Sequence, residues 1–162
     1  MLRTLIVAAS LAALGATAQA AELKRQGTPQ SGIARAVVVP AGATTVYVSG
    51  ITPRASNAGA PAGTPLVYGN TEAQAMTVFQ QIEDILKVEG MTMADVAMLR
   101  VYLVADPNNG NKMDFAGMNA AYAKYFGTAA QPNKPARITM QITQLVNPAF
   151  LVEIEAQAAK AP

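Results

Sequence analysis

Phe150-Leu151-Val152-Glu153-Ile154-Glu155-Ala156 alternates apolar and acidic residues with period two, the pattern of a half-buried strand. Upstream, Pro135-Ala136-Arg137-Ile138-Thr139-Met140-Gln141-Ile142 has the same form. Val146-Asn147-Pro148 turns the chain between the two runs, so the sequence ends in a sheet. Each run also carries a charge that needs a reason: Arg137 at the first strand's mouth, Glu153 inside the second. Burying an unpaired ionised side chain costs on the order of several kcal/mol. Two readings follow, an active site or a structural ion pair.

Working back from these strands, a helix is predicted behind Thr71-Glu72-Ala73-Gln74, which has the form of a capping box. Ala75, Val78, Phe79, Ile82, Ile85 and Leu86 fall on one helical face, and Gly90 ends the helix. Thr92 to Asp95 reads as a short helical turn, followed by a strand from Val96 to Val104 that carries Arg100. Asp106-Pro107-Asn108-Asn109-Gly110 is a turn cluster. A second helix follows, with Phe115, Met118, Tyr122, Tyr125 and Phe126 on one face and Gly127 closing it.

On the N-terminal side, Ile33 to Val39 and Thr45 to Ser49 read as strands around Pro40-Ala41-Gly42, which suggests a hairpin. Pro53 to Asn70 is a long loop rich in small residues and proline. The order β-β-α-β-α-β-β gives an α+β two-layer domain, its two helices covering one face of one sheet. Ala97 to Val104 and Phe150 to Ala156 carry apolar residues on both alternating sets, so the uncovered face is expected to meet other copies of the chain.

Composition excludes much. The chain has no cysteine and no histidine, and its formal net charge is +2. Disulfides, ordinary zinc, copper or haem sites, a Ser-His-Asp triad and a thiol nucleophile are therefore ruled out. With no basic run and no interleaved aromatic stripe, nucleic-acid binding is not expected. Residues 1–20 have the form of a secretory signal: Arg3, an apolar run from Leu5 to Leu14, and the A-x-A site Ala18-Gln19-Ala20. The expectation is export to a periplasm, with no stable membrane association after cleavage. Residues 21–32 then form a loose leader and 33–162 the folded domain.

Several residues have both a chemical and a structural reading. Arg137 offers a planar fork for a carboxylate, or a surface salt bridge. Glu153 and Glu155 share a strand face, where one can hold a water as general base, or both can protect a sheet edge. Asn119 on the second helix can face a ligand or make a local contact. Ser49-Gly50 can present a hydroxyl and a backbone N–H, or simply turn the chain. The eight methionines read as core filler.

At these residues the chain resembles the RidA (YjgF) family of enamine/imine deaminases. The resemblance rests on Tyr47-Val48-Ser49-Gly50-Ile51-Thr52-Pro53, the capped helix ending at Gly90 before Asp95-Val96, and Phe115-Ala116-Gly117-Met118-Asn119-Ala120-Ala121-Tyr122. Pro135-Ala136-Arg137 and Val152-Glu153-Ile154-Glu155-Ala156 follow in order. It implies a chorismate-mutase-like fold and a homotrimer with clefts between subunits. It further implies that Arg137 binds the carboxylate of a 2-imino or 2-enamino acid and Glu153 positions the water, with no cofactor. Asn119, Ser49 and Gly50 would line the cleft, and Thr139 stands where many members carry a cysteine. The segment Gly32-Ile33-Ala34-Arg35-Ala36 lacks the tyrosine often found there. The reading from another class is a non-catalytic trimeric module that binds small carboxylates or proteins.

Overall fold

The longest strand organises the molecule. In the computed structural model, which describes residues 22–161, β4 (Val96–Asp106) has partners on both sides. On one side it pairs antiparallel with β7 (Val152–Lys160), which pairs antiparallel with β3 (Thr44–Ile51). On the other side it pairs parallel with β6 (Ala136–Ile142), and its end pairs with the short β5 (Lys112–Met113). Two parallel relations, β3 to β4 across β7 and β4 to β6, each require a crossover. Helix α1 (Thr71–Val88) makes the first and α2 (Phe115–Tyr125) the second. The expected α+β architecture is observed, with the helices packed on each other.

Core formation follows from strand parity. Leu99, Val101 and Leu103 of β4 and Val152, Ile154, Ala156 and Ala158 of β7 are buried against the helices. Val78, Phe79, Ile82 and Leu86 meet them from α1, and Met118, Ala121 and Tyr122 from α2. Phe79 bridges the helices, its ring centroid 5.2 Å from Tyr125 and 5.9 Å from Phe126. Ile85, placed on the buried face by periodicity, lies at its edge and is 37% exposed.

Strand β6 inverts the usual pattern. Register puts Arg137 opposite Leu99 and Thr139 opposite Val101, so the polar set faces the helix layer. Ile138 and Met140 instead lie on the open face, 44% and 38% exposed, where Tyr47 of β3 is 74% exposed. The apolar surface expected on that face comes from β6, Tyr47 and the half-buried Met98 and Val104 of β4, while β7 presents Glu153, Glu155 and Gln157 there.

Three local expectations change. The hairpin does not form: β2 (Ala36–Val38) pairs with β1 (Lys24–Gln26), while β3 finds a full-length partner in β7. Strand β1 lies inside the stretch read as a loose leader, 21–32. It is held because Arg25 Nη2 donates to the carbonyls of Ala94 and Val96 at 2.7 and 3.2 Å. The cap of α1 is Asn70, whose Oδ1 accepts from Ala73 N at 3.0 Å, rather than Thr71. Gln74 is buried and bonds the carbonyls of Gly69 and Ala149 and the amide of Leu151, tying α1 to the start of β7. Residues 1–20, read in the sequence as a secretory signal, lie outside the described residues.

Candidate active site

Arg137 is the second residue of β6, two after Pro135, whose carbonyl accepts from Ala34 N at 2.9 Å. Its side chain runs under α2, with the guanidinium carbon 4.5 Å from the Tyr122 ring centroid and 5.7 Å from that of Phe115. Aromatic faces accommodate a cation but cannot accept its hydrogen bonds in plane. Arg137 Nη1 is buried without a hydrogen-bond partner, as are Tyr122 Oη and Thr139 Oγ1. Burial pulls the Arg137 pKa below the ordinary arginine value, a shift that Tyr122 opposes. Burial likewise pushes the Tyr122 hydroxyl up to about 12, although the adjacent Arg137 charge pulls it down.

Arg137 and Tyr122 border an open cleft of about 510 Å³, lined also by Asn119, Phe115, Lys134 and the segment 30–33. Asn119 and Tyr122 are three residues apart on α2, the spacing that shares a helix face. Gly32 and Ile33 form the wall where a first-strand tyrosine was missed, so no aromatic ring projects from that segment. A buried polar group normally finds a partner, and an orphan costs about 1–3 kcal/mol. A concentration of orphans at a cleft therefore points to a ligand that accepts hydrogen bonds.

Glu153 lies elsewhere. It pairs opposite Tyr102 and projects from the open face, on the far side of the sheet from Arg137. The structure thus excludes a structural ion pair between them within one chain. Strand β3 shifts register between Val48 and Ile51, which brings Gly50 against the Glu153 carboxylate. A Cβ on Gly50 would overlap that carboxylate, so a larger residue there would displace the Glu153 side chain. Ser49 and Gly50 also line a hollow of about 350 Å³ with Arg100 and Glu155.

Glu155 is occupied there, accepting from Arg100 Nη1 at 3.3 Å and from Tyr102 Oη at 3.2 Å. Glu153 enters none of the ion pairs among the described residues. The predicted residues thus fall into two sets: Arg137, Asn119 and Thr139 on the helix side, Glu153, Ser49 and Gly50 on the open side. Tyr122 was read as core and Lys134 not singled out. The helical spacing from Asn119 was the available signal for Tyr122. No group of three or more acidic, histidine or cysteine side chains arranged to hold a metal occurs among the described residues.

Comparison with known proteins matches residues 34–160 to the family model described as Endoribonuclease L-PSP. The chain belongs to this family, which takes in the RidA, YjgF and RutC proteins. A RutC family protein of Pyrococcus horikoshii is 39% identical over 95 residues, 59% of this chain and 67% of that protein. A RutC family protein of Sulfurisphaera tokodaii is 35% identical over 119 residues, covering 72% and 80%. Among solved structures, the Rid family protein YyfB of Yersinia pestis aligns with a TM-score of 0.60 and 26% identity, over 78% of this chain and 86% of that one. A YjgF/YER057c/UK114 family member from Mycobacterium tuberculosis aligns with a TM-score of 0.52 and 26% identity, over 85% and 97%. Within the RidA/YjgF/RutC family frame, the two-sided placement of Arg137 and Glu153 becomes the central geometric fact.

Proposed function

We propose that this protein hydrolyses 2-imino and 2-enamino acids to 2-oxo acids and ammonia, at clefts completed by a neighbouring copy. The observation that carries this reading is the buried, unpartnered Nη1 of Arg137 at an open cleft. A carboxylate is the acceptor that a guanidinium fork matches best. Once it is held, the imine carbon is oriented for attack. Glu153, in no ion pair among the described residues, holds the water and takes its proton as the C–O bond forms. The proton passes to the imine nitrogen, and the carbinolamine collapses to a 2-oxo acid and ammonia.

Because Arg137 and Glu153 face opposite ways, a single chain cannot apply both to one small molecule. A cyclic assembly joins the helix side of one copy to the open side of the next through unlike surfaces. Exposed Ile138, Met140 and Tyr47 supply apolar area for such a contact. A trimer closed in this way fits the family. Export belongs to the same proposal and rests on residues 1–20 alone. The family description names an endoribonuclease, but a compact cleft with no basic strip in the sequence suits a small anion better than a polyanion. The test is hydrolysis of freshly generated 2-iminopropanoate by the purified protein. Activity lost in Arg137→Ala supports the reading, and full activity in that variant overturns it.

A further inference from the structure

The cleft holds a second cation. Lys134 runs across Gly127, where a Cβ would lie 2.7 Å from Lys134 Cε, and Gly127 sits at φ +71°. Its Nζ donates to the carbonyl of Ser31 at 2.7 Å and to that of Pro29 at 2.9 Å. Ser31 belongs to the segment that walls the cleft, so the ammonium stands at the cleft rim. Backbone carbonyls satisfy two of its three N–H donors but leave its charge uncompensated. Among the described residues neither Lys134 nor Arg137 forms an ion pair with a carboxylate. No acidic side chain is among the residues lining the cleft.

We infer that the cleft selects substrates with two carboxylates, that is, 2-imino dicarboxylic acids, with Arg137 taking the carboxylate beside the imine and Lys134 the distal one. Two fixed positive charges with no counterion among the described residues of their own chain favour a dianion over a monoanion, and the third Nζ donor is available for it. Neutral Asn119 and Gln30 complete the polar lining without opposing that charge. The volume of about 510 Å³ leaves room for a chain of four or five carbons. The inference rests on the proposed deaminase reading for the imine, but the charge preference of the cleft is measurable without turnover.

The experiment measures dissociation constants of the full chain for two stable product-like acids, 2-oxoglutarate and 2-oxobutanoate, and turnover of imines generated from L-glutamate and L-alanine. Tighter binding of 2-oxoglutarate by about tenfold is expected, the scale of one added charge-assisted contact. Lys134→Gln should bring the two constants to within about twofold, and Lys134→Arg should restore most of the gap. If both acids bind equally to the wild type, or Lys134→Gln weakens both alike, Lys134 only pins the 29–31 segment and the inference fails. Preference for 2-oxoglutarate without turnover of either imine sinks the deaminase reading and leaves the dianion site. Turnover of both imines without preference does the reverse.

Discussion

Arg100 and Arg137 stand on adjacent parallel strands, one residue out of step and on opposite faces of the sheet. Arg100 meets Glu155 at 3.3 Å, and with the Gln157 amide turned to accept, its Nη1 and Nη2 also reach that oxygen at 3.1 and 3.3 Å. Both members of the ion pair remain solvated, with 40% and 36% of their side chains exposed. Arg137 is more deeply set, stacked on Tyr122 and with a buried N–H unanswered. One arginine has its partner in the chain and needs nothing further. The other is held ready for an acceptor that the chain itself does not supply.

That contrast can be broken by substitution. Arg137→Ala should lower kcat/KM for imine hydrolysis by about a thousandfold, the consequence of removing one side of a buried charged contact. Its apo stability should change by less than about 1 kcal/mol, because the lost aromatic contact is offset by relief of burial. A large loss of stability would show that Arg137 is structural after all. Gly50→Ala should cost about ten- to a hundredfold in kcat by displacing the Glu153 carboxylate, with carboxylate binding retained on the Arg137 side. Loss of 2-oxobutanoate binding in Gly50→Ala would contradict that division of labour.

Arg100→Ala should be mild, within about 1 kcal/mol in unfolding, since half-exposed ion pairs contribute little. The smallest effect is expected from Tyr122→Phe. Its hydroxyl is an orphan, so deleting it should leave stability at neutral pH within about 0.5 kcal/mol. Alkaline behaviour should differ. Tyr122 stays protonated in the fold to about pH 12, whereas an unfolded tyrosine loses its proton near pH 10. The unfolded chain therefore binds fewer protons in that window, and stability falls as pH rises through it. Urea unfolding between pH 9 and 11 should show a shallower decline in Tyr122→Phe than in the wild type.

Much of this was legible in the sequence, for reasons that local periodicity explains. Helix α1 announced itself by its apolar face and by Gly90, and β7 by the alternation around Glu153 and Glu155. The pairing of β3 with β7 was not legible, because it joins residues far apart in sequence and nothing near the Pro40 turn encodes it. Arg25 was invisible as a tether for the same reason: its carbonyl partners are at 94 and 96.

The site divides similarly. Arg137 and Glu153 were recognisable as charges out of place, but their opposite orientation was not. In β6 the sequence alternation suggests that Ile138 and Met140 face the core, whereas register puts Arg137 and Thr139 on that side. Alternation fixes which residues share a face and says nothing of which face meets the helices. A surface covered by another copy reads in sequence as core, and a polar cleft beneath a helix reads as surface.

In the proposed assembly one working site needs Arg137 from one copy and Glu153 from another. Two inactive variants, Arg137→Ala and Glu153→Gln, can be mixed, dissociated and reassembled together. Random reassembly of a cyclic oligomer with heterologous contacts then leaves about a quarter of the sites with both groups intact. Imine hydrolysis should recover to about a quarter of the wild-type rate on remixing, with no recovery when either variant is reassembled alone. Mixed assemblies that form but stay inactive would contradict the shared site.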